Sequence, residues 1–353
     1  MELIEYLKTN NIDDFKKDNI KVYTFKNLKL LKYNYDKKQD KEYQKYCKGC
    51  IIDKDSKRIL CVPPKQSEIY DNQSIDDTYI IQDLIDGTMI NIFYANNKWN
   101  FSTRSEIGGS NKWTCKSFIK LFEDICDFDK VTSCLTKNYS YSFVLRHKSN
   151  KCVSNIEKNS IVLVDIFDLS INEYIDNLYK HFSTVVPFEI INTYTYPPLP
   201  IDIDRLKNIN MNHNWKGFII KKNTIRYKHI NPEYMKVKNI TVNSNNKLYI
   251  YIKCIQDNTL NKYLKINPEY KEDFNNYRYY IEIIVNELYD NYCKYNINKT
   301  IKYKEIPYQL RPLINIIHNE YIIKNKRIDQ KFIKYKFLHF NIKRIMFVMN
   351  YYI

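Results

Sequence analysis

The chain has 353 residues, room for two domains of ordinary size, and 44% of them are apolar, which rules out a disordered chain and predicts a packed core in each domain. Its 56 Lys and Arg against 40 Asp and Glu leave a net charge of +16, a balance that favours polyanionic partners. Nine cysteines, odd in number and scattered through apolar stretches, argue against a disulfide framework and for buried free thiols in a reducing compartment.

The first segment, Met1 to Asn10, reads as a polar helix with no apolar core of signal length. No later run approaches the roughly 20 apolar residues that a membrane span needs, so a soluble, intracellular protein is expected. Cys47 and Cys50 suggest a metal pair, but no second pair with nearby histidines completes a zinc site, and the pair reads as buried strand cysteines. From about Tyr43, short β-branched and aromatic runs alternate with Asn, Asp, Ser and Gly. They are Gly49 to Asp53, Arg58 to Val62, Thr78 to Gln82, Met89 to Tyr94, Ser142 to Arg146, Ile161 to Phe167, Lys216 to Lys221 and Leu248 to Cys254. Each is a predicted strand. Helices are predicted over Lys116 to Ile125 and Ile171 to Phe182, and Pro197, Pro198 and Pro200 mark a loop. From Asn258 onward Phe274, Tyr277, Ile281, Ile284 and Leu288 recur at helical spacing, with Ile301 to Ile306 as an extended connection. The expected organisation is an α+β domain over residues 1–255 and an all-helical domain over 256–353.

One local sequence organises the first domain. Ile80 to Thr88 reads Ile-Ile-Gln-Asp-Leu-Ile-Asp-Gly-Thr, and a second apolar run follows from Met89 to Tyr94. Strand, Asp-Gly turn and returning strand make an ordinary hairpin signal. Around it stand Lys48-Gly49-Cys50-Ile51-Ile52, Cys61-Val62-Pro63-Pro64-Lys65, Ser102-Thr103-Arg104-Ser105, His147-Lys148-Ser149-Asn150-Lys151-Cys152-Val153, Lys216-Gly217-Phe218-Ile219-Ile220 and Tyr227-Lys228-His229-Ile230, with Tyr234 trailing. In this order they resemble the motifs of the phage-type ATP-dependent RNA ligases, members of the covalent nucleotidyltransferase superfamily, over roughly Lys48 to Ile240. The resemblance implies mixed, mainly antiparallel sheets with flanking helices, followed by a helical C-terminal domain. It also implies a nucleotide site at Asp83, Asp86, Arg104, Lys216 and Lys228.

The same residues argue against ligation. In that family a lysine amine, two residues before the Asp-Gly, attacks the α-phosphorus of ATP; here the position is Leu84, whose side chain has no lone pair. The glutamate implied before Gly217 is Lys216, the one implied in the Phe143 to His147 segment falls on Val144, and the second lysine of the last motif falls on Ile230. No catalytic residue is therefore assigned, although Asp86 and Gly87 are retained. No metal ligand is assigned either. The expectation is a pseudoenzyme with no certain cofactor, ATP and Mg2+ being implied only if the chain is active. Lys65 and Lys98 stand as candidates for a displaced nucleophile. Lys216 reads either as a cation that meets phosphate directly in place of a metal ion or as a solvated lysine at a strand end.

In the helical half, Tyr321 to Arg344 carries Lys324, Lys326, Arg327, Lys331, Lys334, Lys336, Lys343 and Arg344 against one acid, Asp329, with Phe332, Tyr335, Phe337 and Phe340 between them. Aromatics between cations suit unpaired RNA, and helical spacing equally suits a core face with solvated lysines. Three readings remain open. One is an inactive RNA ligase-like protein that binds RNA or nucleotide; another is an active ligase with a relocated nucleophile. The last is a non-catalytic subunit of a viral transcription, RNA-processing or virion complex, joined to a protein partner through its helical domain. The Asn-, Lys- and Tyr-rich bias of an AT-rich genome, with this fold, suits a large DNA virus and a location in the cytoplasm, a viral factory or the virion.

Overall fold

In the computed structural model, residues 1–34, 37, 39–110, 116–182, 185–191, 193–194, 212–242, 244, 246–324 and 327–353 are described, without the side chains of 193, 194 and 324. The proline loop at 197–200 lies outside them. By compactness the chain divides into Met1–Lys238 and Asn239–Ile353.

Two helices, α1 (Glu2–Thr9) and α2 (Asp14–Lys17), bury Leu3, Leu7 and Phe15 against the first sheet. That sheet runs β1 (Ile20–Phe25), β2 (Leu28–Tyr33), β3 (Lys48–Asp53) and β4 (Ile59–Cys61), each antiparallel to the next. Cys47 and Cys50 are buried free thiols in its core, and burial pushes both thiols up. Then come β5 (Glu68–Ile69), β6 (Ile80–Asp83), β7 (Thr88–Ala95) and β8 (Lys98–Thr103). β7 and β8 form a two-residue hairpin in which Asn96 and Asn97 take φ of 54° and 58°, the double left-handed geometry such a turn requires. α3 (Phe118–Glu123) and α4 (Phe128–Ser133) are capped by Ser117 and Asp127 and pack on the second sheet. β9 (Tyr139–Arg146) and β10 (Ser160–Asp168) complete its centre, in the order β11-β10-β9-β7-β8, where β11 is Glu173–Tyr174.

After the short α5 (Leu178–His181) come β12 (Glu189–Ile190), parallel to β10, and β13 (Thr193–Tyr194). β14 (Gly217–Lys222) and β15 (Ile225–Ile230) form a hairpin in the third sheet, ordered β13-β6-β14-β15-β5. α6 (Pro232–Ile240) follows. The second unit is helical: α7 (Lys247–Gln256), α8 (Leu260–Ile266), α9 (Lys271–Tyr292), α10 (Arg311–Lys324), α11 (Gln330–Leu338) and α12 (Ile342–Met349). The α9 stripe is as spaced in the sequence, with Phe274, Ile281, Ile284 and Leu288 buried and Tyr277 half-buried. The fold is therefore α+β with mainly antiparallel sheets and a helical C-terminal region.

Three local expectations are corrected. Leu248 to Cys254 is not a strand but most of α7: the Asn246 side chain caps it by accepting from Tyr249 N–H (2.9 Å), and its apolar residues join the helical core. Tertiary burial outweighs β-branched propensity there. Ile171 to Phe182 is helical only over α5, because Tyr174 pairs with β10 and buries its hydroxyl between Pro63 C=O (2.9 Å) and Lys65 N–H (3.1 Å). Ile301 to Ile306 contains a 3-10 turn, Tyr303–Glu305, whose Glu305 carboxylate accepts from Lys302 N–H (2.8 Å).

Candidate functional site

β6 lies in the third sheet and β7 in the second, so the Asp86-Gly87 step is not a hairpin turn; Leu84 to Gly87 carries the chain from one sheet to the other. Gly87, at φ 152°, passes so close to β9 that a Cβ would stand 2.5 Å from the Leu145 carbonyl oxygen and 2.7 Å from Val144 Cγ1. Only glycine fits. Leu84 is half-buried and its N–H donates to Gly217 C=O (2.8 Å), extending the β6–β14 ladder by one step.

Asp86, 8% exposed, ties four segments together. Its Oδ2 accepts from the backbone N–H groups of Val153 (2.9 Å) and Ser154 (3.0 Å), its Oδ1 accepts from the Tyr234 hydroxyl (2.7 Å), and Lys216 Nζ stands 3.6 Å from Oδ1. Burial pushes this carboxyl up, yet the Lys216 ammonium and the three donors outweigh burial and hold it below the ordinary range. Lys216 Nζ also donates to Ile85 C=O (3.2 Å). It is thus no solvated strand-end lysine: its amine sits at the crossing that carries Leu84, and burial, followed by the charges of Arg104 and Lys238, holds its pKa down against the pull of Asp86.

Cations collect around this knot. Lys32 and Lys48 are register partners across β2 and β3, and Lys32 Nζ donates to the Ser105 hydroxyl (2.6 Å). Gly49 lies against the backbone of Arg104, where an added Cβ would meet Arg104 Cα at 2.8 Å, so the chain of Arg104 passes directly beside β3. Lys48 is held well below the usual lysine range, first by burial and then by the charges of Arg104, Lys228, Arg226 and Lys216. Lys228 is lowered by burial, Lys238 and Arg104, and Lys32 by burial, Lys21 and Arg104. Among the described residues Lys48, Arg104 and Lys228 make no ion pair, and Asp86 is already saturated. A group of cations of this kind can hold a multiply charged anion.

Of the residues expected at a nucleotide site, Asp86 and Lys216 touch, and Arg104 and Lys228 lie within electrostatic reach of Lys48. Asp83 instead accepts from Trp215 Nε1 (3.0 Å). The displaced-nucleophile candidates are elsewhere: Lys65 is paired with Glu42 (2.9 Å) over the Tyr46 ring, and Lys98 is exposed at the start of β8, paired with Ala95 at the end of β7 far from Gly87. Val144 is a buried core residue. Sequence reasoning missed the parts played by Lys48 and Tyr234, and it missed the wholly buried group of Asp165, Lys221 (3.1 Å) and Arg226 (2.5 Å). Strand register places Lys48, and the first turns of α6 bring Tyr234 to Asp86. For the buried group the sequence carried no signal beyond a lone Asp in an apolar run.

The described residues do not fit a divalent ion. No three His, Cys, Asp or Glu groups come together among them, and the Asp86 oxygens are occupied by donors. In the helical unit, Arg327 and Lys331 are exposed, whereas Lys334 pairs with Glu282 and Lys336 with Glu320 (2.7 Å). Lys326 lies outside the described residues, as does the side chain of Lys324. Phe337 is buried and Phe332 half-buried, as a core face requires, while Tyr335 is exposed. No described helix is long and apolar enough to cross a membrane.

No protein-family model matches the sequence, and no curated protein does so. Among solved structures, the chain is similar to a mutant RNA ligase of Naegleria gruberi with ATP and Mn, at 9% identity and a TM-score of 0.35, over 48% of this chain and 61% of that one. The same organism's RNA ligase with PPi matches at 12% identity and a TM-score of 0.34, over 49% and 57%. The chain thus matches less than two thirds of that ligase's length. A candidate ATP-dependent DNA ligase from Aquifex aeolicus matches at 14% identity and a TM-score of 0.46, over 92% of this chain and 81% of that one. The structures named here are described as ligases of RNA or DNA.

Proposed function

We propose that this chain is an RNA ligase-like protein that has given up adenylyl transfer and keeps a cationic cleft for the phosphates of a nucleotide or RNA. One observation supports this above the rest: Leu84 stands where an amine is needed, while Lys216 stands at the saturated Asp86 carboxylate and Lys48, Arg104 and Lys228 lie within electrostatic reach of one another. Ammonium and guanidinium groups do the neutralising that a metal ion does elsewhere, so binding needs no divalent cation. Calorimetric titration with ATP in EDTA is expected to show binding that the Lys48→Ala, Arg104→Ala double variant weakens by at least tenfold, about 1.4 kcal/mol. Absence of binding in EDTA, or binding indifferent to both substitutions, would sink the proposal.

A second reading is favoured by the Lys216 amine, which is deprotonated more easily than an ordinary lysine and lies beside the Leu84 crossing. In it, Lys216 Nζ attacks the α-phosphorus of ATP; the N–P bond forms as the bond to pyrophosphate breaks, and the amine proton leaves to solvent. Incubation with α-labelled ATP separates the two readings. The first expects no covalent label; an acid-labile adduct lost in Lys216→Ala establishes the second.

A further inference from the structure

The basic stretch of the helical unit is only partly available, because Lys334 and Lys336 are held by Glu282 and Glu320. Its end is different. Lys343 and Arg344, in the first turn of α12, are exposed and make no ion pair among the described residues. They stand at a cavity of about 380 Å³ whose apolar walls are Pro312, Leu313 and Phe347, with the amides of Gln309 and Asn341 beside them. No carboxylate lines it.

Phe347 stands out on its helix. Ile345, Val348 and Met349 are wholly buried, whereas Phe347 is 44% exposed. Tyr308 and Tyr351, also exposed, meet it edge-on at 6.4 and 5.2 Å between ring centroids, so Phe347 lines the cavity within a group of three exposed rings. Asn341 spends its side-chain oxygen on Lys343 N–H (3.0 Å), which leaves its amide hydrogens as donors. A ligand that satisfies all of this is flat and apolar on its faces, carries acceptors on its edge, and has an anion attached. Charge complementarity and the exposed rings select the unpaired nucleotide over an acidic peptide, which has the anion without the flat face.

We propose that this cavity binds one nucleotide of a single-stranded nucleic acid, with the base against Phe347 and its phosphate between Lys343 and Arg344. The site is independent of the cleft in the first unit: neither Leu84 nor the cleft cations enter into it. A duplex is excluded because its bases are already stacked on each other.

The test uses the full chain and fluorescein-labelled oligo-rU and oligo-dT of about 10 nucleotides, a length within the usual single-strand site size. Phe347→Leu keeps the apolar fill and removes the ring face; it is expected to weaken binding by roughly 5- to 140-fold, the range that corresponds to one lost base stack. Phe347→Tyr is expected to bind as the parent does. Lys343→Ala and Arg344→Ala should each flatten the log–log salt dependence by about 1. Preference for oligo-rU identifies RNA as the source, and equal affinity identifies a site indifferent to the sugar; both support the proposal. The Lys48→Ala, Arg104→Ala variant reports on the cleft alone, and the Phe347 effect must persist in that background. Unchanged affinity in Phe347→Leu overturns the proposal, as does an equal Phe347-dependent loss for polyglutamate, which has no base to stack.

Discussion

At the scale of single residues, buried charge is the governing fact, and its outcome depends on whether a partner is present. Asp165 is 1% exposed and is the carboxylate on which Lys221 and Arg226, 1% and 5% exposed, both depend. Replacing it by Asn leaves two buried cations without a hydrogen-bonded counter-charge and with only the charge of Asp176 in reach, and urea unfolding is expected to show a loss of about 3–5 kcal/mol, the range for breaking a buried pair. Lys48 is the opposite case, a cation already short of counter-charge, whose folded-state pKa lies below the ordinary lysine value. Between those two values the unfolded chain binds more protons than the folded one, so this residue's destabilising effect is full below its lowered folded-state pKa and fades as pH rises towards the ordinary lysine value. Lys48→Met should therefore be more stable than the parent at pH 7, with the gap narrowing towards pH of about 10; a gap that widens with pH contradicts the assignment. Anion binding runs the other way: it needs Lys48 and Lys216 protonated, so ATP affinity is expected to fall as pH rises through their lowered pKa values.

At the scale of elements, short-range chemistry places ends, and burial decides type. Asp127 accepts from Asp129 N–H (2.8 Å) and Lys130 N–H (3.1 Å) and so starts α4. Asp127→Ala is expected to cost about 1 kcal/mol in thermal unfolding, the usual value of a lost N-cap. The β7–β8 hairpin, whose second strand is absent from those expected from the sequence, has a local mechanism in Asn96-Asn97 between apolar runs. The Asp86-Gly87 step carries the expected hairpin signal, yet it links two sheets. Nothing within a few residues distinguishes the two cases. Gly87 is required by the approach of Leu145, far away in sequence, and not by turn geometry. Leu248 to Cys254 was misread for a related reason: β-branched residues suit a strand, but those side chains are buried among helices.

At the scale of the whole molecule, the contact division between Lys238 and Asn239 assigns α7 to the helical unit, whose core includes Leu248, Ile250, Tyr251, Ile252 and Cys254. A polypeptide of residues 239–353 is accordingly expected to unfold cooperatively by circular dichroism, whereas residues 256–353, lacking those side chains, should melt without a transition. Cooperative unfolding of the shorter piece would support the expected boundary at 255. What the sequence alone determined was the α+β class, the helical C-terminal region, the buried thiols of Cys47 and Cys50 and the absence of an amine at Leu84, because composition, periodicity and the identity of a side chain are local properties. What only the tertiary structure decided was that Lys216 reaches that crossing, that Asp86 is saturated, that Lys32 and Lys48 stand opposed and that two of the helical cations are neutralised. Those are distances between residues far apart in the chain, and electrostatics acts through distance in space, which no reading along the sequence supplies.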